Sequence, residues 1–466
     1  VSETKLAIDL KPLVDGEVLT SEEDLEIVSE DFGRLIQRKP QVLVRPSTAQ
    51  GVARVLRYAY EHDVPVSTRG EAHSQSGQSL VQDGIVLSTR ALSGFDGLDG
   101  ASETVRVKAG TLWAELVKEL DSQGRVPRVL TNNLNVSVGG TLSVAGLGVS
   151  SFRYGAQGDN VDFLEVVTPT GEVIECTPGT HELFDLARSG LGQFGVITAA
   201  RIKTRTRPPR NRTYMLLYDS IESVLADSRK VMTEDRFDHL ESWCVPLPIG
   251  FKAEEGRKRA FGEWFFPLHL TREFDPASPP SEAEDLQGLS PYKKAHVEDR
   301  TALEFGFRLE PLFELWKRGP YWGSTHPWME VILPWETAAF YVKAVLEKVP
   351  PPMLGGGHIL LWPSSGKTST IPLFKRPAGE HVLGFGILPG IPKQYVEPVL
   401  EALDKASGAA MMFGGKRYLS GWIRFTRDQW KQHWGEDWGR ICTARKKYDP
   451  KGLLNPGFID YESVAG

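Results

Sequence analysis

A mixed α and β fold of two or three domains is what this sequence predicts, on three observations. The chain of 466 residues exceeds what one ordinary core accommodates. An order of strand, helix, strand and loop occurs near the start and repeats in outline within the first third of the chain. At Arg207-Pro208-Pro209-Arg210 the texture then changes to longer β-rich runs with many tryptophans and few glycine clusters. Apolar residues at 41% and aromatics at 10% supply enough material for packed interiors.

Residues 1–36 are acidic and helical in tendency, with Ser21 capping a helix that opens Glu22-Glu23-Asp24-Leu25. Pro40 to Pro46 reads as a short strand between prolines. Ser47 or Thr48 then caps a helix whose Val52, Val55, Leu56 and Ala59 share one face. The strand Val64 to Thr68 delivers a segment, Arg69-Gly70-Glu71-Ala72-His73-Ser74-Gln75-Ser76-Gly77-Gln78-Ser79, that holds no large apolar side chain. Gly70 and Gly77 let a ligand approach the backbone, and Ser74 and Ser76 offer donors to phosphate oxygens at no cost in charge. Alone, the segment equally fits a Gly/Ser surface turn carrying an ordinary histidine.

The second round begins with a strand over Val105 to Gly110. A helix from Thr111 follows, with Leu112, Leu116, Val117 and Leu120 on one face, and ends at Gly124. Thr131 to Gly146 contains paired glycines beside hydroxyls, a second place where backbone N–H groups can face a pyrophosphate, or else a tightly packed turn. Leu164 to Thr168 and Glu172 to Cys176 flank Pro169-Thr170-Gly171 as a hairpin. A short helix over Glu182 to Arg188 precedes Gly190-Leu191-Gly192-Gln193-Phe194-Gly195. That hexapeptide has the G-x-G-x-x-G pattern but stands between a helix and a strand, Val196 to Ile202, the reverse of what a dinucleotide fingerprint requires. Gly366-Lys367-Thr368 is no P-loop, because Leu361 stands where its first glycine belongs. Residues 273–296, rich in Pro, Ser, Glu and Asp, read as an exposed loop or lid. Tyr448 to Gly457 closes the chain with turns.

A net charge of −6 and a pI near 6.0 give no electrostatic reason for binding nucleic acid or an anionic membrane. No apolar run approaches the roughly 18 residues of a membrane span, so the expected partner is a small molecule. Cys176, Cys244 and Cys442 are odd in number and lack metal-ligand spacing, which argues against a disulfide framework and a zinc site; no metal is expected. The start at Val1 is expected to be trimmed or processed, which leaves a removed signal peptide open. A cytoplasmic location is expected, with secretion as the alternative. Asn211-Arg212-Thr213 is a formal glycosylation sequon.

Arg69-Gly-Glu-Ala-His73-Ser74 with Gly77-Gln78 resembles the flavin-attachment loop of the vanillyl-alcohol-oxidase (PCMH-type) FAD-linked oxidoreductases, above all cytokinin dehydrogenases. The family usually has Gly where Ala72 stands. The resemblance extends through Val138-Gly-Gly-Thr-Leu-Ser143, Phe152-Arg153-Tyr154-Gly155 and Gly190 to Ile197. It continues through Phe237-Asp238-His239-Leu240-Glu241, His326-Pro327-Trp328, Tyr418, Trp430 to Trp438, and Tyr448 to Gly457. It implies an α+β architecture: an FAD-binding domain of two α/β subdomains over 1–207, a substrate domain with a mostly antiparallel sheet covered by helices over 208–415, and a segment over 416–466 that returns to the first domain. It also implies FAD bonded covalently through His73. Gly70, Glu71, Ala72, Ser74 and Gln78 would line the pyrophosphate or ring edge. Asn132, Ser137, Ser143, Leu147 and Ile197 would touch the flavin from the second loop and hairpin, and Tyr418, Asn455 and Phe458 from the C-terminal return. No cysteine lies between His73 and Cys176, so one covalent flavin bond is expected.

The implied reaction removes a hydride from a C–H bond next to nitrogen or oxygen, with oxygen or a quinone as electron acceptor. In cytokinin dehydrogenases the base is an aspartate within Trp-Thr-Asp-Tyr-Leu, supported by a glutamate; the matching Leu130-Thr131-Asn132-Asn133-Leu134 has an amide there. Asn132 cannot take a proton, so Glu241, matching the partner glutamate, is expected to be a lone carboxylate that assumes the role or binds a cationic substrate, with His358 or Tyr321 as other acceptors. The expected substrate is an amine or N-heterocycle near the cytokinin class. An alcohol, sugar or secondary metabolite, or a flavoprotein with little turnover, stands as the alternative.

Overall fold

A computed structural model describes residues 4–101, 103–254, 256–349 and 354–461. Its strands fall into three sheets, each drawn from a continuous stretch of chain. The first holds β1 (Gly16–Leu19), β2 (Val42–Pro46), β3 (Val66–Arg69) and β4 (Ile85–Ser88), ordered β1-β2-β4-β3. Its β2, β4 and β3 are parallel and β1 is antiparallel. Such parallel pairing needs a crossover, and the helix Ala49–Glu61, capped by the Thr48 side chain on Gly51 N, supplies it. Val52, Val55, Leu56 and Ala59 form its buried stripe against the sheet. Each large member contributes about 1.5–3 kcal/mol of burial, so a charge at Val55 would undo this packing.

The second sheet contains β5 (Thr104–Lys108), β6 (Arg125–Pro127), β7 (Val161–Val167), β8 (Val173–Cys176) and β9 (Val196–Thr206), ordered β5-β9-β7-β8 with β6 on β9. The hairpin expected around Gly171 is present; Gly171 has φ 82°, a conformation that favours glycine. Helices Arg427–Trp434 and Asp437–Tyr448 bring Trp430, Trp434, Trp438 and Ile441 back into this core from the C-terminal end.

The third sheet is antiparallel throughout. It consists of β10 (Arg210–Tyr218), β11 (His239–Glu254), β12 (Arg257–Phe274), β13 (Lys293–Arg300), β14 (Met329–Pro334), β15 (His358–Ser365), β16 (His381–Leu388) and β17 (Lys416–Arg417), in the order β13-β10-β12-β11-β15-β16-β14-β17. One face is sealed by Ile221–Thr233, Trp335–Leu346 and Val396–Met412, whose Val224, Tyr341 and Leu403 join the largest core. The other face is free to meet the first two sheets.

One expectation is corrected here. The stretch 273–296 is no lid: its second half enters β13, paired along β10, and Asp285 is fully buried, bonded to the Tyr214 hydroxyl (2.7 Å) and paired with Arg272. Its charged composition is that of a solvent-facing edge strand. Asn211 of the sequon is buried within β10, between two strands, where no glycan fits. Cys176 and Cys244 lie in different cores, and none of the three cysteines is in a disulfide. Among the described residues no helix is long and apolar enough to cross a membrane, and no cluster of His, Cys, Asp or Glu is arranged to hold a metal.

Candidate active site

The loop after β3 owes its shape to residues that the sequence reading passed over. Buried Asp31 accepts from Ser74 Oγ (3.0 Å), Gly77 N (2.8 Å) and Gly33 N (3.1 Å). Phe32 N and Gly33 N donate to the carbonyls of Ala72 and Ser74. Burial pushes the Asp31 carboxyl up to about 6, against the pull of those donors. Ala72 has φ 53°, a conformation that favours glycine and costs an alanine roughly 1 kcal/mol.

His73 is consequently held in one pose. Its ring packs on Phe32 (centroids 4.8 Å) and edge-on to Trp322 (6.1 Å), and its Nε2 meets the Asn133 amide at 3.2 Å. The Asn133 Oδ1 accepts from Asn135 N (2.9 Å), which turns the NH2 towards His73. Burial, then the nearby His326 and Lys317, lower the imidazole to about 4, so it is neutral at pH 7.

These groups open on a cavity of about 620 Å³ between the two smaller sheets and the free face of the third. Gly70, Glu71, Ala72, His73, Ser74, Gln78, Asn132, Ser137, Ser143, Leu147, Ile197, Tyr418 and Asn455 all line it. Phe458 does not; its ring sits edge-on to Trp430 at 5.6 Å in the second core. Gly192 and Gly195 of the rejected G-x-G-x-x-G segment line the cavity too, as a turn rather than a helix start. A Cβ on Gly192 would stand 2.6 Å from Asn455 Nδ2. Asn455 itself, at φ 45°, clasps the region: its Oδ1 accepts from Thr68 N (2.8 Å) and its Nδ2 donates to Gly192 O (2.6 Å). Beside it, Val66 N bonds Leu453 O and Asn455 N bonds Val66 O, so the C-terminal segment runs along the edge of β3.

Glu241 is not the lone carboxylate expected. It is 6% exposed, and Arg308 grips it with two bonds, Nε to Oε1 at 2.8 Å and Nη2 to Oε2 at 2.6 Å. Burial would raise its pKa, but Arg308 outweighs that and holds it below the usual carboxylate value. Nor does Glu241 line the cavity. Arg308 Nη2 also donates to Asn132 Oδ1 (2.8 Å), and because Arg can only donate, this fixes the amide: oxygen to Arg308, NH2 away from it. The other suggested acceptors fare no better. His358 lies against Trp316 (centroids 5.0 Å) and burial lowers it to about 4, while the Tyr321 hydroxyl donates to Leu388 O (3.2 Å) and burial raises its pKa.

The cover of the cavity is the helix Glu310–Arg318, none of whose residues is buried. Leu312, Phe313 and Trp316 face inward from it, and Asn135 Nδ2 ties its first residue, Glu310, at 3.2 Å. The wall opposite carries Trp243, Trp328, Trp362 and Glu330. Sequence reasoning missed Asp31, Asn133, Arg308, Glu330 and this helix. The one available signal was a hydrophobic stripe over Leu309, Leu312, Phe313 and Trp316.

FAD fits this lining on the structure's own terms. Thr68 Oγ1 and Gln75 Oε1 are buried at the cavity wall without a partner, and a Cβ on Gly70 would meet Ser137 Oγ at 2.2 Å, so the wall is cut back to backbone. No cysteine is among its lining residues. The comparisons agree: the family described as FAD binding domain matches residues 40–177, so the fold and cavity are those of an FAD-linked oxidoreductase. The family described as Cytokinin dehydrogenase 1, FAD and cytokinin binding, matches residues 293–459. An uncharacterized oxidoreductase, ORF5 in the fasciation locus of Rhodococcoides fascians, is 30% identical over 94% of this chain and 98% of its own length. Cytokinin dehydrogenase 9 of Oryza sativa subsp. japonica is 29% identical over 93% of this chain and 88% of its own. In fold, 6-hydroxy-D-nicotine oxidase from Arthrobacter nicotinovorans superposes with TM-score 0.71 at 21% identity, over 97% of this chain and 99% of the other. The chain belongs to the cytokinin-dehydrogenase-like group of PCMH-type FAD-linked oxidoreductases.

Proposed function

We propose that this chain oxidises a small amine or N-heterocycle with FAD tethered through His73, residues 1–207 and 416–466 holding the cofactor and 208–415 the substrate. The carrying observation is the neutral His73 imidazole, fixed by Asn133 and Phe32 at the wall of a cavity large enough for a cofactor and a small ligand. FAD, when bound, supplies the hydride acceptor. Everything else falls to the chain. Thr68, Gln75, Ser74, Gln78 and Ser137 offer hydrogen bonds to the dinucleotide. Asn132, its oxygen taken by Arg308, presents NH2 donors to a nitrogen or oxygen lone pair of the substrate. Glu241 neutralises Arg308 and thereby positions Asn132; its part is orientation rather than proton transfer. The helix Glu310–Arg318 and the tryptophans exclude water and stack on a flat ligand.

Acid precipitation tests the tether. Wild-type pellets should stay yellow and His73→Ala pellets should be colourless; free FAD released from the wild type would refute it. Anaerobic bleaching of the flavin tests the reaction, with a panel that includes a cytokinin, 6-hydroxy-D-nicotine, alcohols and sugars. Bleaching by alcohols or sugars alone would refute the amine reading.

A further inference from the structure

Two buried glutamates stand at or beside the cavity, and only Glu241 is gripped by the donors of an arginine. Glu330 lies on β14, where Met329, Val331 and Leu333 point into the largest core and Glu330 and Ile332 alternate to the face that meets the first two sheets. A strand position so placed ordinarily takes an apolar side chain, as Ile332 does. Glu330 is 6% exposed and lines the cavity with Trp328, Trp362, Leu147 and Tyr418. Its register partner on β16 is Gly386, which puts no side chain over it.

The groups around Glu330 leave its charge uncancelled. Ser420 Oγ donates to Oε2. Arg417, the nearest cation, spends its Nε on the Glu330 backbone carbonyl (3.0 Å), Nη1 on Ser407 Oγ (2.9 Å) and Nη2 on Trp422 O. Tyr418, the other titratable group facing Glu330, has its hydroxyl on the Gly146 and Leu147 N–H groups, and burial keeps it protonated. Tyr341 and Asp404 also act on Arg417, and Arg417 in turn disfavours a charge on His433. Oε1 has no protein partner among the described residues. Burial, partly offset by Ser420 and Arg417, raises this carboxyl to about 7.

We propose that Glu330 is the proton acceptor of the oxidation, the role that Asn132 cannot fill and that Arg308 denies to Glu241. The proposal rests on the amine-oxidising reading above. FAD, when bound, would supply the two-electron acceptor for the hydride of the substrate carbon; the chain's own part is the proton, because the N–H bond on the neighbouring atom breaks. Its electron pair becomes the second bond of C=N, and the proton passes to Oε1. A group half ionised near pH 7 is matched to accepting and then releasing that proton.

Two measurements on the FAD-loaded enzyme test this. Infrared difference spectra of the resting enzyme across pH 5–9 should show two buried carboxyls, Asp31 near 6 and a second near 7, the second absent in Glu330→Gln and present in Glu241→Gln; if Glu330→Gln leaves both bands in place, the proposal is overturned. With the substrate that bleaches the flavin, Glu330→Gln should slow flavin reduction by about 10²-fold or more and abolish the pH limb near 7. Ser420→Ala, which removes a bond favouring the carboxylate, should move that limb to higher pH. If flavin still bleaches at the wild-type rate in Glu330→Gln, the proton acceptor is another group while the amine reading stands. If Glu330→Gln loses covalent flavin but keeps the limb, Glu330 serves the cofactor and the proposal falls. Bleaching by no amine would instead sink the reading beneath it.

Discussion

Replacing Arg308 with Gln would isolate the charge that the sequence made visible without its partner. In the wild type three bonds of 2.6–2.8 Å join Arg308 to Glu241 and Asn132, and Glu241 is buried. Removing one member of such a pair costs about 3–5 kcal/mol, because the remaining charge is left in a poor solvent. The cost should depend on pH with a definite sign. With Arg308 present, the folded Glu241 pKa lies below 4.5, so its stabilisation is complete above 4.5 and is lost as pH falls through the folded value. Without Arg308, burial acts unopposed and raises the pKa, so stability falls as pH climbs from 4.5 towards the raised value. His269, with Nδ1 4.0 Å from Oε1, and His239 are the other groups whose positive charge would favour the Glu241 carboxylate. Urea unfolding of the FAD-loaded protein at pH 5 and pH 8 should therefore give a larger loss at pH 8, by at least about 1.4 kcal/mol, the equivalent of one pH unit of unopposed proton linkage. Replacing both partners, Arg308→Met with Glu241→Leu, should recover most of the loss. A cost below about 1 kcal/mol at pH 8, or an equal cost at both pH values, would refute the ion-pair account.

Two further outcomes are expected. Trp316→Ala, on a helix with no buried residue, should raise KM about tenfold, about 1.4 kcal/mol of lost contact, with flavin content unchanged. Shortening the turn Asp275–Pro280 should leave KM alone, and steady-state kinetics of the two variants decides between them. Asn455→Ala leaves Thr68 N–H and Gly192 C=O without partners at about 1–3 kcal/mol for each buried group, so the melting temperature and flavin content should fall together; an unchanged flavin content would show the clasp to be dispensable.

Much of the fold was legible because local patterns carried it. The helix Ala49–Glu61 announced its stripe, the Gly171 hairpin its turn, and the donor-rich loop at His73 its lack of core residues. The four-residue strand β4 was too short to leave a period, and β13, charged as edge strands are, looked like a loop. At the site, residues joined by motif were found and residues joined by register were not. Arg308 meets Asn132 across 176 positions, and Glu330 reaches the cavity only because β14 alternates with its core-facing neighbours. In sequence each is one more charged residue, indistinguishable from a solvated one. Asn132 was read correctly as unable to take a proton, but what its amide does depended on a guanidinium that nothing nearby in sequence foretold.

The Asn455 clasp also sets an order of events in synthesis. While the ribosome is still making the last tenth of the chain, β3 has an unpaired edge, the Gly192 turn has nothing to lean on, and Trp430, Trp434 and Trp438 have not yet entered the second core. The cavity wall is incomplete until residue 455 emerges. A complete flavin site therefore waits on the synthesis of residue 455. A frameshift upstream of residue 455 would be as damaging to the cavity wall as one through the His73 loop.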